Sequence, residues 1–241
     1  MTLTDNTSPG FGRFDLSTSD GRRRAEADLM WSDHGFLRAA FQNFHWISPE
    51  MARANQPSPK QIARYAAQGF KTIINLRGDK PTGYYLLEKE ACARHGLALI
   101  DAPLGSREAP SVARVLRAKE IFETIAYPAL MHCKSGADRA GLMAVLYVHF
   151  RQGRPIEEAV QQLDLKYLHV KQGKTGVLGF FFDTYLREAS LRETSGAANG
   201  PSAGKSFLDW VQTDYEPARV QAAFMGQWWA NTLVDKVLRR E

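Results

Sequence analysis

Apolar positions follow two rhythms along the chain. From Pro59 to Gly69, Ile62, Tyr65 and Ala66 recur at helical spacing. Ser58 stands where a helix cap belongs, Pro59 suits the first helical position, Gln61 completes a capping box and Gly69 supplies the stop. Lys71–Leu76 is short, apolar and β-branched, which predicts a buried strand. The pattern then predicts a helix over about Thr82–Arg94, a strand over Leu97–Pro103 and a helix over about Ser111–Ile125. The stripe of that last helix is Val112, Val115, Leu116, Phe122 and Ile125. Ala129–Met131 reads as a short strand running straight into His132 and Cys133, followed by helices over about Arg139–Phe150, Ile156–Leu165 and Thr175–Glu188. The aromatic stretch Phe41–Ile47 reads as an early strand or a packing arm. Strand–helix alternation of this kind implies an α/β fold: a central, mostly parallel sheet flanked by helices.

Residues 1–40 read as a partly irregular leader, polar over 1–24 and carrying the run Arg22-Arg23-Arg24. Residues 41–193 form the main domain, and 194–206, rich in Gly, Ala and Ser, form a flexible linker. Residues 207–241 return to helical periodicity with Trp210, Phe224, Trp228, Trp229, Leu233, Val237 and Leu238. So short a segment cannot support its own core, so it is expected to dock through its aromatic face.

Composition narrows the class. Of 241 residues, 44% are apolar and 24% charged, which excludes disordered, collagen-like and coiled-coil chains. No apolar run approaches the roughly 20 residues of a membrane span, and the first residues are polar, so a cytoplasmic location is expected. The net charge of +5 fits an anionic ligand without choosing among nucleic acid, a phosphorylated molecule and an anionic membrane. Nucleic acid is the weakest of these, because no aromatic–basic interleaving is present. With only Cys92 and Cys133, there is no disulfide framework. Cys92, inside a helical pattern, reads as a small core residue.

Cys133 is different. A strand precedes it, Gly136 lies mid-loop, and Arg139 opens a helix six positions later. Such a strand–loop–helix can turn backbone N–H groups toward an anion, and the helix adds its positive end. Gly136 permits a turn that a side chain would obstruct. The Arg139 guanidinium is a planar fork for two phosphoryl oxygens. In that field the Cys133 thiol is expected to ionise easily and act as an in-line nucleophile. No metal or cofactor is called for.

The stretch His132-Cys133-Lys134-Ser135-Gly136-Ala137-Asp138-Arg139 resembles the active-site loop of the cysteine-dependent protein tyrosine phosphatase superfamily, H-C-x-x-G-x-x-R. Ala54–Pro59 and Gly69–Arg77 resemble its atypical dual-specificity branch, and the resemblance covers about Phe44–Glu188. It implies that the protein hydrolyses phosphate monoesters on a protein, an inositol phosphate or a lipid head group through a phosphocysteine. It further implies that Cys133 is the nucleophile, that Arg139 binds phosphate and stabilises the transition state, and that the backbone of Lys134, Ser135, Gly136, Ala137 and Asp138 cradles it. His132 would tune the thiolate. Lys134 adds a cation, and Lys166, His169, Lys171 and Lys174 form a second basic stretch.

Two departures stand out. Many relatives carry Ser or Thr after the Arg, where this chain has Ala140. The general acid usually lies about thirty residues before the Cys. Asp101 is at 133 − 101 = 32, Glu108 lies on the following loop, and Asp138 adjoins Arg139 as in myotubularin-type lipid phosphatases. Asp101 ranks first. Two other classes compete with a phosphatase. A rhodanese-like sulfurtransferase also uses a loop-base Cys, but the His132-Cys133 pair and the Gly136 and Arg139 spacing favour phosphate chemistry. A catalytically weak phosphate-binding pseudophosphatase is kept open by Ala140, while intact Cys133 and Arg139 argue against it.

Overall fold

A computed structural model describes residues 12–194 and 206–238. The chain divides into two compact units, 1–103 with 125–136, and 104–124 with 137–241.

The first unit holds the whole sheet. Its strands are β1 (His45–Ser48), β2 (Met51–Asn55), β3 (Thr72–Asn75), β4 (Ala98–Asp101) and β5 (Ala129–Cys133), in the order β1-β2-β5-β3-β4. Only β1 pairs antiparallel; the other three pairings are parallel, as the alternation predicted. Among its described residues the unit also forms the α-helices α1 (Ser19–Ala27), α2 (Gly35–Ala40), α3 (Pro59–Ala67) and α4 (Gly83–Arg94). One sheet face presents Ala52, Ala54, Ile73 and Leu130 to Ile62 and Tyr65 of α3 and Ala91 and Cys92 of α4. The other face, with Met51, Arg53, Ile74 and Met131, is buried as well, so β2, β3 and β5 have no exposed side to reveal their period. Cys92 is a core residue, and burial pushes its thiol up to about 12.

β2, α1 and α2 have no counterpart in the sequence reading. β2 falls where no strand was predicted, because Arg53 interrupts a short Met-Ala-Arg-Ala-Asn run. α1 falls within the leader read as partly irregular, where no helix was predicted. Thr18 caps it through the Gly21 N–H at 3.0 Å, and Ala25 packs with Phe14, Tyr84, Tyr85 and Leu87. The Arg22–Arg24 run is paired internally, Arg22 with Glu90 and Arg24 with Asp20.

The second unit is helical: α5 (Val112–Thr124), α6 (Asp138–Phe150), α7 (Ile156–Ala159), α8 (Val177–Thr194), α9 (Phe207–Thr213) and α10 (Pro217–Leu238). α7 is shorter than the predicted Ile156–Leu165, giving way to a 3-10 turn over Val160–Gln162. Residues 195–205 of the expected linker lie outside the described residues, as do the side chains of Leu233, Val237 and Leu238. The tail docks on α8. Phe207 and Trp210 are buried, with Phe207 5.7 Å from Phe181 and Trp210 5.5 Å from Tyr185, ring centre to ring centre. The Trp210 indole N–H donates to Glu188 at 2.6 Å, and the Tyr215 hydroxyl donates to the Pro110 carbonyl at 2.7 Å. Trp229 stays exposed.

Replacing Trp210 by Ala should remove a fully buried anchor and cost on the order of 3–5 kcal/mol, read by chemical denaturation. A loss under about 1 kcal/mol would mean that α9 contributes little to the fold.

Candidate active site

The C-terminal ends of the parallel strands gather the candidate residues. Ala54, His132, Asn75 and Asp101 lie in register across β2, β5, β3 and β4, and one step further Asn55 faces Cys133. Cys133 closes β5 and is buried.

The loop that follows is held by its carbonyls. The Lys134 carbonyl accepts from the Gln56 N–H at 3.4 Å. The Ser135 carbonyl accepts from Asn43 Nδ2 at 2.9 Å, and the Gly136 carbonyl from Arg53 Nη2 at 2.9 Å. In a planar trans peptide the N–H points opposite to the C=O. Tying back these carbonyls therefore aims the N–H groups of Ser135, Gly136 and Ala137 the other way, which is the requirement for an anion cradle. Gly136 has φ +75°, and a Cβ there would lie 2.8 Å from the Ala54 carbonyl carbon and the Asn55 nitrogen, so only glycine fits. The chain then enters α6 at Asp138, which places Arg139 in its first turn, at the positive end of the helix. Lys134, Asp138 and Arg139 are half-buried, Ser135 is exposed, and Ala137 and Ala140 are buried.

Buried polar side chains flank Cys133. His132 Nε2 lies 2.6 Å from Glu88 Oε1 with both side chains fully buried. The approach is too far off line for a straight hydrogen bond, so it is a close contact without one. Glu88 Oε2 accepts from Gln56 Nε2 at 2.9 Å, and Gln56 Oε1 accepts from Arg77 Nη1 at 2.9 Å. Arg77 forks onto both Asp33 oxygens at 2.6 and 2.8 Å and stacks 3.6 Å over the Tyr84 ring. Asp33 also pairs with Arg38 at 2.6 Å and lies 3.5 Å from Lys134 Nζ. Burial pushes the Asp33 carboxyl up, but the Arg77 hydrogen bond and the charges of Arg77, Arg38 and Lys134 outweigh it and hold the group below its ordinary range.

The proposed acids sit in three settings. Asp101 ends β4, two strand spacings, about 10 Å, from His132 in the same row. Its oxygens accept from Asn75 Nδ2 at 2.7 Å and the Tyr85 hydroxyl at 2.8 Å. Burial, then the carboxylate itself, push the Tyr85 phenol above its usual value. Glu108 is more than half exposed and ion-paired with Arg114. Asp138 Oδ1 lies 2.9 Å from Nδ1 of the buried His169. Of the second basic stretch, Lys166 lies over the Tyr167 ring and Lys174 over Trp228, while His169 is buried rather than part of a basic surface.

Asp33, Asn43, Arg53, Gln56, Arg77 and Glu88 were not singled out from sequence. The available signal was Arg53 and Glu88 themselves, charged residues inside apolar stretches that later prove fully buried.

A family model described as a DSP-PTPase phosphatase fused to NAD+ kinase matches residues 47–175. That is more than half of the chain, so the chain belongs to this family. It is a phosphatase enzyme of the protein tyrosine and dual-specificity class, acting on a phosphorylated substrate. The dual specificity protein phosphatase TpbA of Pseudomonas aeruginosa (strain UCBPP-PA14) is 25% identical over 194 residues, spanning 79% of this chain and 77% of TpbA. Among solved structures, P. aeruginosa TpbA matches with TM-score 0.48 and 20% identity over 64% of this chain and 90% of that one. Tk-PTP in its active form matches with TM-score 0.47 and 22% identity over 58% and 97%. Among the described residues, no helix is long and apolar enough to cross a membrane.

Gly136→Ala should abolish most activity and phosphate binding, because the added methyl must displace main chain of β2; a phosphate titration with near-native affinity would contradict the cradle geometry. Acid should weaken the Asp33 cluster. A carboxyl held low when folded contributes stability that is present above its unfolded value, about 3.9, and lost as pH falls through the folded value. Asp33→Asn should therefore be less stable than wild type near neutrality and converge on it in acid. A gap that widens on acidification would reverse the assignment.

Proposed function

We propose that the protein removes phosphoryl groups from protein side chains, phosphotyrosine included, through a phosphocysteine on Cys133. The observation that carries this reading is the tethering of the Lys134, Ser135 and Gly136 carbonyls, which leaves the intervening N–H groups aimed away from the scaffold between Cys133 and Arg139. The Cys133 thiolate attacks phosphorus, the S–P bond forms and the P–O bond to the alcohol breaks. The carboxylic acid gives its proton to the departing oxygen. Arg139 holds two non-bridging oxygens by its fork while the backbone amides take the third. Water then attacks phosphorus, the P–S bond breaks, the carboxylate takes back a proton from the water, and phosphate leaves. Ala140 offers no hydroxyl to the departing thiolate, so the amides and the α6 terminus stabilise it. No metal or cofactor takes part in these steps, and the reduced thiolate they need fits a reducing, cytoplasmic setting.

Asp101 is the proposed acid on the ground of its spacing from Cys133 and its place at the end of β4. One observation favours Asp138 instead: it adjoins Arg139 and is held by His169. The named relative is a dual specificity protein phosphatase, which supports the protein substrate over a lipid or inositol phosphate.

Cys133→Ser should bind ester without turnover, and Arg139→Lys should lose most of kcat with its fold intact, because Lys keeps the charge without the fork. Near-wild-type turnover by Cys133→Ser would end the phosphocysteine reading. Asp101→Asn should cost little on p-nitrophenyl phosphate, whose phenol leaves unaided, and on the order of 10²- to 10⁴-fold on an alkyl phosphate. If that leaving-group dependence appears only in Asp138→Asn, the acid is Asp138.

A further inference from the structure

We infer that Asp33 is a positioning residue of the phosphatase site and acts through Lys134; the inference rests on Cys133 being the nucleophile. Asp33 lies outside the matched residues 47–175, in the stretch read from sequence as a leader. Its side chain is 5% exposed. A surface carboxylate beside a lysine swivels and contributes little. Asp33 cannot swivel, because Arg77 clamps both oxygens and Arg38 binds one of them again. Its Oδ1 is thus a fixed point, and Lys134 Nζ lies 3.5 Å from it. His34, the next residue, brings Nδ1 within 3.4 Å of the same ammonium. The Lys134 side chain is 43% exposed on a flexible four-carbon stem. Without these contacts its charge would be spread over many rotamers. With them it is a directed cation one residue after Cys133. In the inferred role it stabilises charge gathered on the phosphoryl oxygens in the transition state.

The carboxylate does not cancel the local field. Arg38, Arg77 and Lys134 together carry more charge than Asp33 removes. That gives the positioning role a sign of its own. If Asp33 were only a negative charge near the site, removing it would make the region more positive. Anionic substrate would then bind more tightly, lowering KM with kcat unchanged. If Asp33 positions Lys134, removing it lowers kcat.

The test is a four-protein cycle of wild type, Asp33→Asn, Lys134→Gln and the double variant, with kcat, KM and Tm measured on one aryl phosphate. Asp33→Asn is expected to lower kcat on the order of 10- to 100-fold without raising KM, and the double variant to be no slower than Lys134→Gln. The Tm loss of Asp33→Asn should persist in the Lys134→Gln background, because its Arg77 and Arg38 contacts are lost in both. A kcat loss of full size in that background, or a fall in KM alone, would overturn the inference. Should Asp33→Asn fail to fold, Asp33→Glu keeps the charge while displacing the oxygens by one methylene, and wild-type kcat in that variant would overturn it equally. Failure of the underlying reading shows separately, as turnover by Cys133→Ser.

Discussion

A loop that turns its amides toward an anion cannot also satisfy its own carbonyls, and the scaffold must do it. That constraint organises the first unit. The tethers come from Gln56 at the end of β2, from Asn43 before β1 and from Arg53 within β2. Arg53 explains itself only in this light. A fully buried guanidinium in a sheet is costly unless its hydrogen bonds are made, and one of its nitrogens reaches the carbonyl of the residue with the left-handed backbone. Gly136 and β2 are therefore two halves of one feature: close approach requires the missing Cβ, and the strand supplies the donor.

The buried charges behind the loop follow the same logic. Glu88, Gln56, Arg77 and Asp33 alternate acceptor and donor between the residue before Cys133 and the residue after it. Such a network adds little net stability over apolar packing of the same volume. Its members are nevertheless mutually fixed, since deleting one leaves a charge or amide unpaired in a dry interior. The gain is a single geometry for Asp33 beside Lys134, and the neutral Gln56 in the middle links Glu88 to Arg77 without crowding.

The candidate site was legible in sequence because it is local. Cys133, Gly136 and Arg139 lie within seven consecutive residues, and each has a stated physical job at its spacing. Ser58 and Gln61 were legible for the same reason: the Gln61 N–H donates to Ser58 Oγ and the Ser58 N–H donates to Gln61 Oε1 at 2.7 Å. β3 and β5 showed as short apolar runs, whereas β2 did not, since its arginine answers a need 83 residues away. α1 was hidden by its charge: three arginines mask a face that buries little beyond Gly21 and Ala25. The network joins positions 32 and 44 residues apart, and no local pattern encodes such pairs.

That difference between local and distant signals also separates two ways of drawing the boundary of the phosphatase. Similarity to the family begins at residue 47. Contact begins earlier: Asp33 and His34 meet Lys134, and Asn43 meets Ser135. A family pattern records positions whose residue type is shared among relatives, and a tether can be supplied by different segments in different chains provided that the carbonyl is met. The obligation belongs to the loop, while the donor that meets it is free to vary. The residues before 47 are thus bound to the site by the hydrogen-bonding needs of the loop, whether or not relatives meet those needs from the same place.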